Sequence, residues 1–574
     1  MTTSEQPSTG DEAQGAPRVA PPGLTSETAA GRARRDALAA VSGAVEGGTT
    51  SLVDYRCEGR VLVIGPEPYA MEQATALAPT LRCAVLAVDS TADPGLPPAA
   101  VGGIQVVRAA LTTIEGYLGH FTVTARHGDR DVNVGRLLGH ADGFFDLILD
   151  LQRTPALRAE LPPPGYYAPG SDPAALHRAT AEMPEMLGEF QKPVYLAYDP
   201  DLCAHARSGV GGCTRCLDTC PSGALGALGD GIAIDTHLCQ GAGSCAAACP
   251  SGAIGYVYSP RATLLGALRE VLRRYREAGG DDPVILLHGA ESGAEQVRRA
   301  APRLPERVIP WAVEEVGRIG IDSWLALIAY GAGAVWVLVD EALSDSVRAE
   351  LDRQRAYAVA ILQGMGYPSE SLRLLDALPG PDAAPGSASM PAIEAAGFAP
   401  PDEKRTLIRL AVDHLHALAP GATDSTPLPA GAPFGAVAVD AAACTLCMSC
   451  VEVCPAAALE AGGDTPRLML VEQNCLQCGI CERACPEDAI TLVPRFLYDV
   501  GARRERRVLH EEAPFRCVVC GTPFATRKVI ERMREKLADH PMFREPGALR
   551  RLEMCGECRV KDMMGDTGGS ASIQ

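Results

Sequence analysis

"CTLCMSCVEVCP", Cys444 to Pro455, and "CLQCGICERACP", Cys475 to Pro486, repeat one pattern, C-x2-C-x2-C-x3-C-P. Three cysteines at that spacing curl around one face of an iron–sulfur cube, and the fourth points away to ligate the neighbouring cube. Proline after the fourth cysteine redirects the chain, because its φ is fixed and it has no N–H to donate. The spacing predicts two 4Fe-4S clusters, one on Cys444, Cys447, Cys450 and Cys485, the other on Cys475, Cys478, Cys481 and Cys454. Zinc sites use paired knuckles, not runs of three plus one, so the run argues against zinc here.

The same signature recurs upstream as "CPSGAL" at Cys220 and "CPSGAI" at Cys249, but each half of this pair lacks one cysteine. Aligned on Cys220-Pro221, the first ligand position holds Val210, with Cys213 and Cys216 in place. Cys203 stands upstream across a glycine-rich stretch whose reach, up to ~30 Å, does not limit it. The expected set for a third 4Fe-4S cluster is Cys203, Cys213, Cys216 and Cys249. In "CQGAGSC" the middle position is Ala242, which leaves Cys220, Cys239 and Cys245 as ligands. A methyl group cannot coordinate iron, and the C-x5-C-x3-C-P spacing resembles a known three-iron motif, which implies a 3Fe-4S cluster as the leading expectation. A 4Fe-4S cluster whose fourth iron takes water, His237 or His205, and a site with no cluster, are the alternatives. Gly241, Gly243 and Gly479 lie between ligands, where small residues let backbone N–H groups approach the sulfurs.

"CVVC" at Cys517 and "CGEC" at Cys555 form a different set, two C-x2-C pairs with a helix expected between them. Cys517, Cys520, Cys555 and Cys558 suit tetrahedral zinc, with mononuclear iron or a further cluster as the alternative. Cys57 and Cys83 adjoin apolar stretches and read as core thiols.

The chain has 574 residues, a formal net charge of −19 and 21 cysteines. Its acidity argues against nucleic acid and acidic membrane as partners and for proteins or small carriers. No apolar run is long enough to span a membrane, and no signal peptide is evident, so a reducing, cytoplasmic location is expected, where thiolates persist to bind metal.

The expected organisation is multidomain α/β with two ferredoxin-like (α+β) dicluster modules and a small zinc-knuckle-like region at the C-terminus. Residues 1–50 read as a disordered or weakly helical tail, and 55–190 as an α/β domain opening on "RVLVIGP" at Arg60. Its turn, Gly65-Pro66-Glu67-Pro68, is not a dinucleotide fingerprint. The first dicluster module is expected over 191–260 and a cysteine-free parallel α/β domain over 262–378. A linker with one helix follows over 379–432, then the second module over 433–498 and the four-cysteine region over 510–565.

The stretch "GEFQKPVYLAYDPDLCAHARSGVGGCTRCLDTCPSGAL", Gly188 to Leu225, resembles a family of large bacterial ferredoxin-type proteins found alongside molybdenum formate dehydrogenases. The likeness runs in order through both cluster pairs to "CVVCGTPFATRKVIERM". The C-x5-C-x3-C-P spacing at Cys239 resembles the three-iron motif of succinate dehydrogenase and fumarate reductase iron–sulfur subunits. The central "VGRIGIDSWLALIAYGAGAVWVLVD" is similar to the delta subunit of methyl-viologen-reducing hydrogenase, without that family's cysteine ligands, so no 2Fe-2S centre is expected and docking is the residual role. The resemblance implies an electron-transfer protein or subunit serving a formate dehydrogenase. The alternative is a redox-sensing or maturation partner of a molybdoenzyme. A self-contained catalyst is disfavoured, since no phosphate loop or nucleophile elbow is present.

Overall fold

In the computed structural model the described residues are 24, 28–41, 50–88, 98–127, 129–378, 391, 393–421, 423–463, 465–544 and 546–565. The first domain is built on a six-stranded sheet. Arg60–Gly65, Arg82–Ala87, Ile104–Arg108 and Leu147–Asp150 form its parallel body. Val61 to Ile64 are all fully buried, as expected for a strand covered on both faces. A three-stranded antiparallel sheet, Ala110–Glu115, Thr122–His127 and Arg130–Asn133, covers one side. Leu52–Cys57 pairs antiparallel with Gly188–Pro193, so the chain returns to this domain before the first cysteine module begins. Cys57 is a buried member of this core and Cys83 packs against it. Burial pushes both thiols up to about 11, as expected for structural cysteines.

The central domain is a four-stranded parallel sheet in the order Val308–Val313, Val284–Gly289, Ala334–Leu338, Leu372–Leu375. Helices Arg261–Glu277, Ser292–Ala300, Ile321–Ala329 and Asp345–Gly364 accompany it, with Trp324 and Trp336 buried between layers.

Within the tail expected to be disordered or weakly helical, Ala29–Val41 is a helix that packs as part of the core, and a disordered reading is corrected there. Ala33, Ala37, Leu38 and Val41 recur at helical spacing, and this face joins the central core against Arg261–Glu277. The buried guanidinium of Arg34 donates to the carbonyls of Pro305 and Val308, which fixes the helix to this domain. The rest of the tail, apart from Leu24, Thr28 and Thr50, and residues 379–390 of the linker, lie outside the described residues. The linker helix is Lys404–Ala417, packed on Ile321–Ala329.

The two cysteine modules share a plan. In each, the entering strand pairs antiparallel with the leaving one: Leu196–Tyr198 with Ile254–Tyr256, and Gly435–Val439 with Ile490–Leu497. In each, two short helices begin inside the cysteine loops: Arg215–Asp218 and Ser244–Ala248, then Ser449–Glu452 and Ile480–Arg483. After the second module, the hairpin Pro514–Arg516 with Pro523–Thr526 leads into helix Arg527–Leu537 and ends at Gly556–Gly565.

Candidate metal centres

Four small cavities lie in the two modules, and each is lined by one of the expected cysteine sets. Cys444, Cys447, Cys450 and Cys485 surround about 350 Å³, and Cys454, Cys475, Cys478 and Cys481 about 370 Å³. Cys203, Cys213, Cys216 and Cys249 surround about 340 Å³. Cys220, Cys239 and Cys245, with Ala242 in the wall, surround about 300 Å³. Each module exchanges its fourth cysteines, Cys220 with Cys249 and Cys454 with Cys485, as the C-P spacing requires.

The backbone explains how the loops curve. Counting from the first cysteine of a run, the third and fifth residues are left-handed in both complete loops: Leu446 and Met448, then Gln477 and Gly479. In "CQGAGSC" the corresponding Gly241 and Gly243 have φ of 80° and 76°. Ala242 therefore sits in an intact ligand loop at the place of Cys447 and Cys478. Leu446, Met448 and Gln477 adopt this φ without being glycine, so at Gly241 and Gly243 it is close approach that requires glycine. A Cβ on Gly243 would fall 2.5 Å from the Cβ of Arg318, and one on Gly241 2.8 Å from the ring of Tyr195. The loop around Val210 differs. Ala206–Arg207 and Val210–Gly211 pair as a tiny hairpin, and it is Cys203, just before it, that lines the cavity.

Donors converge on the sulfurs. The N–H of Ala458 donates to Cys454 Sγ at 3.2 Å and that of Ala489 to Cys485 Sγ at 3.3 Å, the same position after each C-P turn. Gln477 Nε2 donates to Cys475 Sγ at 3.2 Å. In the first module, Ser222 and Ser251 hydroxyls lie 3.7 and 3.6 Å from Cys220 and Cys249. Burial, then neighbouring thiolates, pushes Cys216 up to about 12, and burial holds Cys478 near 11. Crowded thiols in such cavities ionise readily only when a metal centre takes the charge.

Neither histidine considered as a substitute ligand lines the three-cysteine cavity. The His237 ring stacks on Tyr117 at 4.2 Å, and His205 lies by the Cys203 cavity, its Nδ1 3.0 Å from the Cys213 carbonyl.

Cys517, Cys520, Cys555 and Cys558 form a tighter cluster, with all four sulfurs within 4.8 Å of one another and Cys520 and Cys555 3.6 Å apart. Four thiolates around one zinc at ~2.3 Å stand about 3.8 Å apart, so this set fits a single tetrahedral ion. Among the described residues it is the one group of three or more ligand side chains drawn that close. The sulfurs of the four module sets spread wider, around space that suits a polynuclear centre.

Residues 442–490 match the family model of the 4Fe-4S dicluster domain. The chain contains an iron–sulfur dicluster domain. No curated protein matches the chain. Among the described residues, no helix is long and apolar enough to cross a membrane.

Two buried cations at these centres carry no spacing signal. Lys404, wholly buried, donates from Nζ to the carbonyls of Ala246, Ala247 and Cys249 at 2.8, 2.6 and 3.0 Å. Arg405 donates to Pro433, Gln473 and Cys475 carbonyls at 3.0, 3.0 and 2.9 Å, and reaches Pro250 of the other module. Both act across a long sequence separation, which is why motif reading missed them.

Proposed function

We infer that the chain is a multi-cluster electron-transfer protein with three 4Fe-4S clusters, one 3Fe-4S cluster at Cys220, Cys239 and Cys245, and zinc on Cys517, Cys520, Cys555 and Cys558. The observation that carries this reading is the sorting of the module cysteines into four separate cavities, three lined by the cysteines that the C-P spacing selects and one by such a set with Cys203 in place of Val210. Each cluster, when bound, accepts and releases single electrons. The protein's own contribution is to fix the thiolates, aim N–H and amide donors at them, and place Lys404 and Arg405 where positive charge favours reduction. The physiological partner is a redox protein, which the resemblance at Gly188 to Leu225 makes a formate dehydrogenase-type molybdoenzyme.

Anaerobic iron and sulfide analysis with EPR of oxidised and reduced protein tests this reading. A three-iron signal in freshly purified protein that vanishes in Cys239→Ser supports it. Four intact 4Fe-4S signals and no three-iron signal sink the 3Fe-4S assignment, and protein without sulfide sinks the whole reading. Reduction by formate in the presence of a purified formate dehydrogenase, absent without that enzyme, tests the partner.

A further inference from the structure

The two modules are far apart in sequence, with the whole central domain between them, yet their cysteine loops touch. Gly212, next to Cys213, meets Ile480, which lies between Cys478 and Cys481. A Cβ on Gly212 would fall 2.4 Å from Ile480 Cγ1 and 2.7 Å from the Ala204 carbonyl oxygen. Arg483 donates to the carbonyls of Gly211 and Gly212 at 2.5 and 3.1 Å. On the other side of this contact, the wholly buried Arg405 spans from Pro250, next to Cys249, to Cys475. The modules are thus closed on each other through residues adjacent in sequence to ligand cysteines of both.

We propose that Gly212, Ile480, Arg483 and Arg405 form a built junction that joins the Cys203 cavity to the Cys475 cavity, so that the four centres make one continuous row and not two independent pairs. The proposal rests on the iron–sulfur reading above. The row runs from Cys220, Cys239 and Cys245, through Cys203, Cys213, Cys216 and Cys249, then Cys454, Cys475, Cys478 and Cys481, to Cys444, Cys447, Cys450 and Cys485. Within each module the crossed fourth cysteines make the link; between modules this junction does. The process it serves is one-electron exchange, one centre oxidised as its neighbour is reduced, with no bond made or broken. Tunnelling rates fall exponentially with distance, so a contact without room for a methyl group is the arrangement such exchange needs.

Both ends of the row face outward. Cys220 also lines a cleft of about 1010 Å³ between the first domain, the first module and the central domain. At the far end Cys447 is exposed. A donor and an acceptor can therefore dock at opposite ends without competing.

The test uses the full chain with the outer sets emptied by Cys239→Ser, Cys245→Ser, Cys444→Ser and Cys447→Ser, leaving the two inner centres. After dithionite reduction, the EPR spectrum of this protein is expected to be broadened by magnetic interaction between the two. Adding Gly212→Val, which forces the loops apart, is expected to abolish the broadening with iron and sulfide unchanged. Arg483→Gln, which removes only the hydrogen bonds, gives partial loss and serves where Gly212→Val does not fold. Two independent, unbroadened signals from protein holding full iron and sulfide overturn the row and leave the iron–sulfur reading standing, as does broadening that survives Gly212→Val. Absence of iron and sulfide at the inner cysteines overturns the iron–sulfur reading itself.

Discussion

Replacing Lys404 with Met removes one positive charge that sits on the Cys249 carbonyl, behind that site, and keeps most of the side-chain volume. The ammonium is buried and meets three carbonyls, two of them in helix Ser244–Ala248, which carries Cys245. A unit charge at about 4 Å is worth about 4 kcal/mol at an effective dielectric of ~20. The centre lies behind Cys249 and not against Nζ, so doubling that distance is reasonable and leaves about 2 kcal/mol, on the order of 90 mV for one electron. Lys404→Met should lower the reduction potential of the Cys203, Cys213, Cys216 and Cys249 centre by that order and move the others much less. Lys404→Arg, which keeps the charge, should restore most of the potential. Removing the donor also leaves buried carbonyls unpaired, at about 1–3 kcal/mol for each that stays unsatisfied, so the module should unfold at lower denaturant. An anaerobic redox titration followed by EPR reads the potential centre by centre. Unchanged potentials in a folded, fully loaded Lys404→Met protein would refute the electrostatic role assigned to Lys404.

Ala242→Cys places a thiol at the position of Cys447 and Cys478 in an intact loop, and iron analysis should gain one iron per chain as the three-iron EPR signal disappears. Incubation with a zinc chelator should release one zinc per chain and raise hydrogen exchange across Pro514–Thr526, since structural zinc supplies about 10–16 kcal/mol in small domains, while the EPR of the module centres stays the same. Burial, then the carboxylates of Glu291, Asp340 and Glu314, pushes Glu315 up to about 7 against the opposing Arg318. Its folded value lies above the ordinary 4.5, so the native state holds the proton, and its contribution is complete below about pH 4.5 and lost as pH rises through 7. Glu315→Gln should protect residues 308–318 from hydrogen exchange by up to about 3 kcal/mol at pH 8 and change little at pH 4.5.

What the sequence made legible is local. The C-P runs select their own ligand sets because the fourth cysteine is tied to the third by three residues, and geometry at that range leaves little freedom. The parallel strands of the central domain are legible for a similar reason, since "PVILLHG" and "GAVWVLVD" are continuous apolar runs that need covering on both faces. What stayed hidden depends on partners remote in sequence. Ala29–Val41 has its apolar residues at helical spacing, but its short pattern sits amid Gly, Pro and Ser, and what stabilises it is the groove beside Arg261–Glu277. Lys404 and Arg405 open the linker helix as two charged residues, yet both are buried, Lys404 against the first module and Arg405 bridging the two. Gly212 reads as one more loop glycine, and only the approach of Ile480 shows why a side chain has no place there.

The two gaps in the first module differ in their backbones. At Val210 the loop has been rebuilt: the left-handed positions of the complete copies are gone, a hairpin stands in their place, and Cys203 lines the cavity instead. At Ala242 nothing has been rebuilt. Gly241 and Gly243 keep the left-handed turns, the cavity remains, and the three other cysteines still line it. Gly241 and Gly243 are each pressed against another part of the protein, Tyr195 and Arg318, so packing holds the loop in its ligand-loop shape. The physical reading is therefore a site that holds its shape while omitting one ligand. The Ala242→Cys outcome is therefore the sharpest discriminator between a three-iron centre and a site without a cluster.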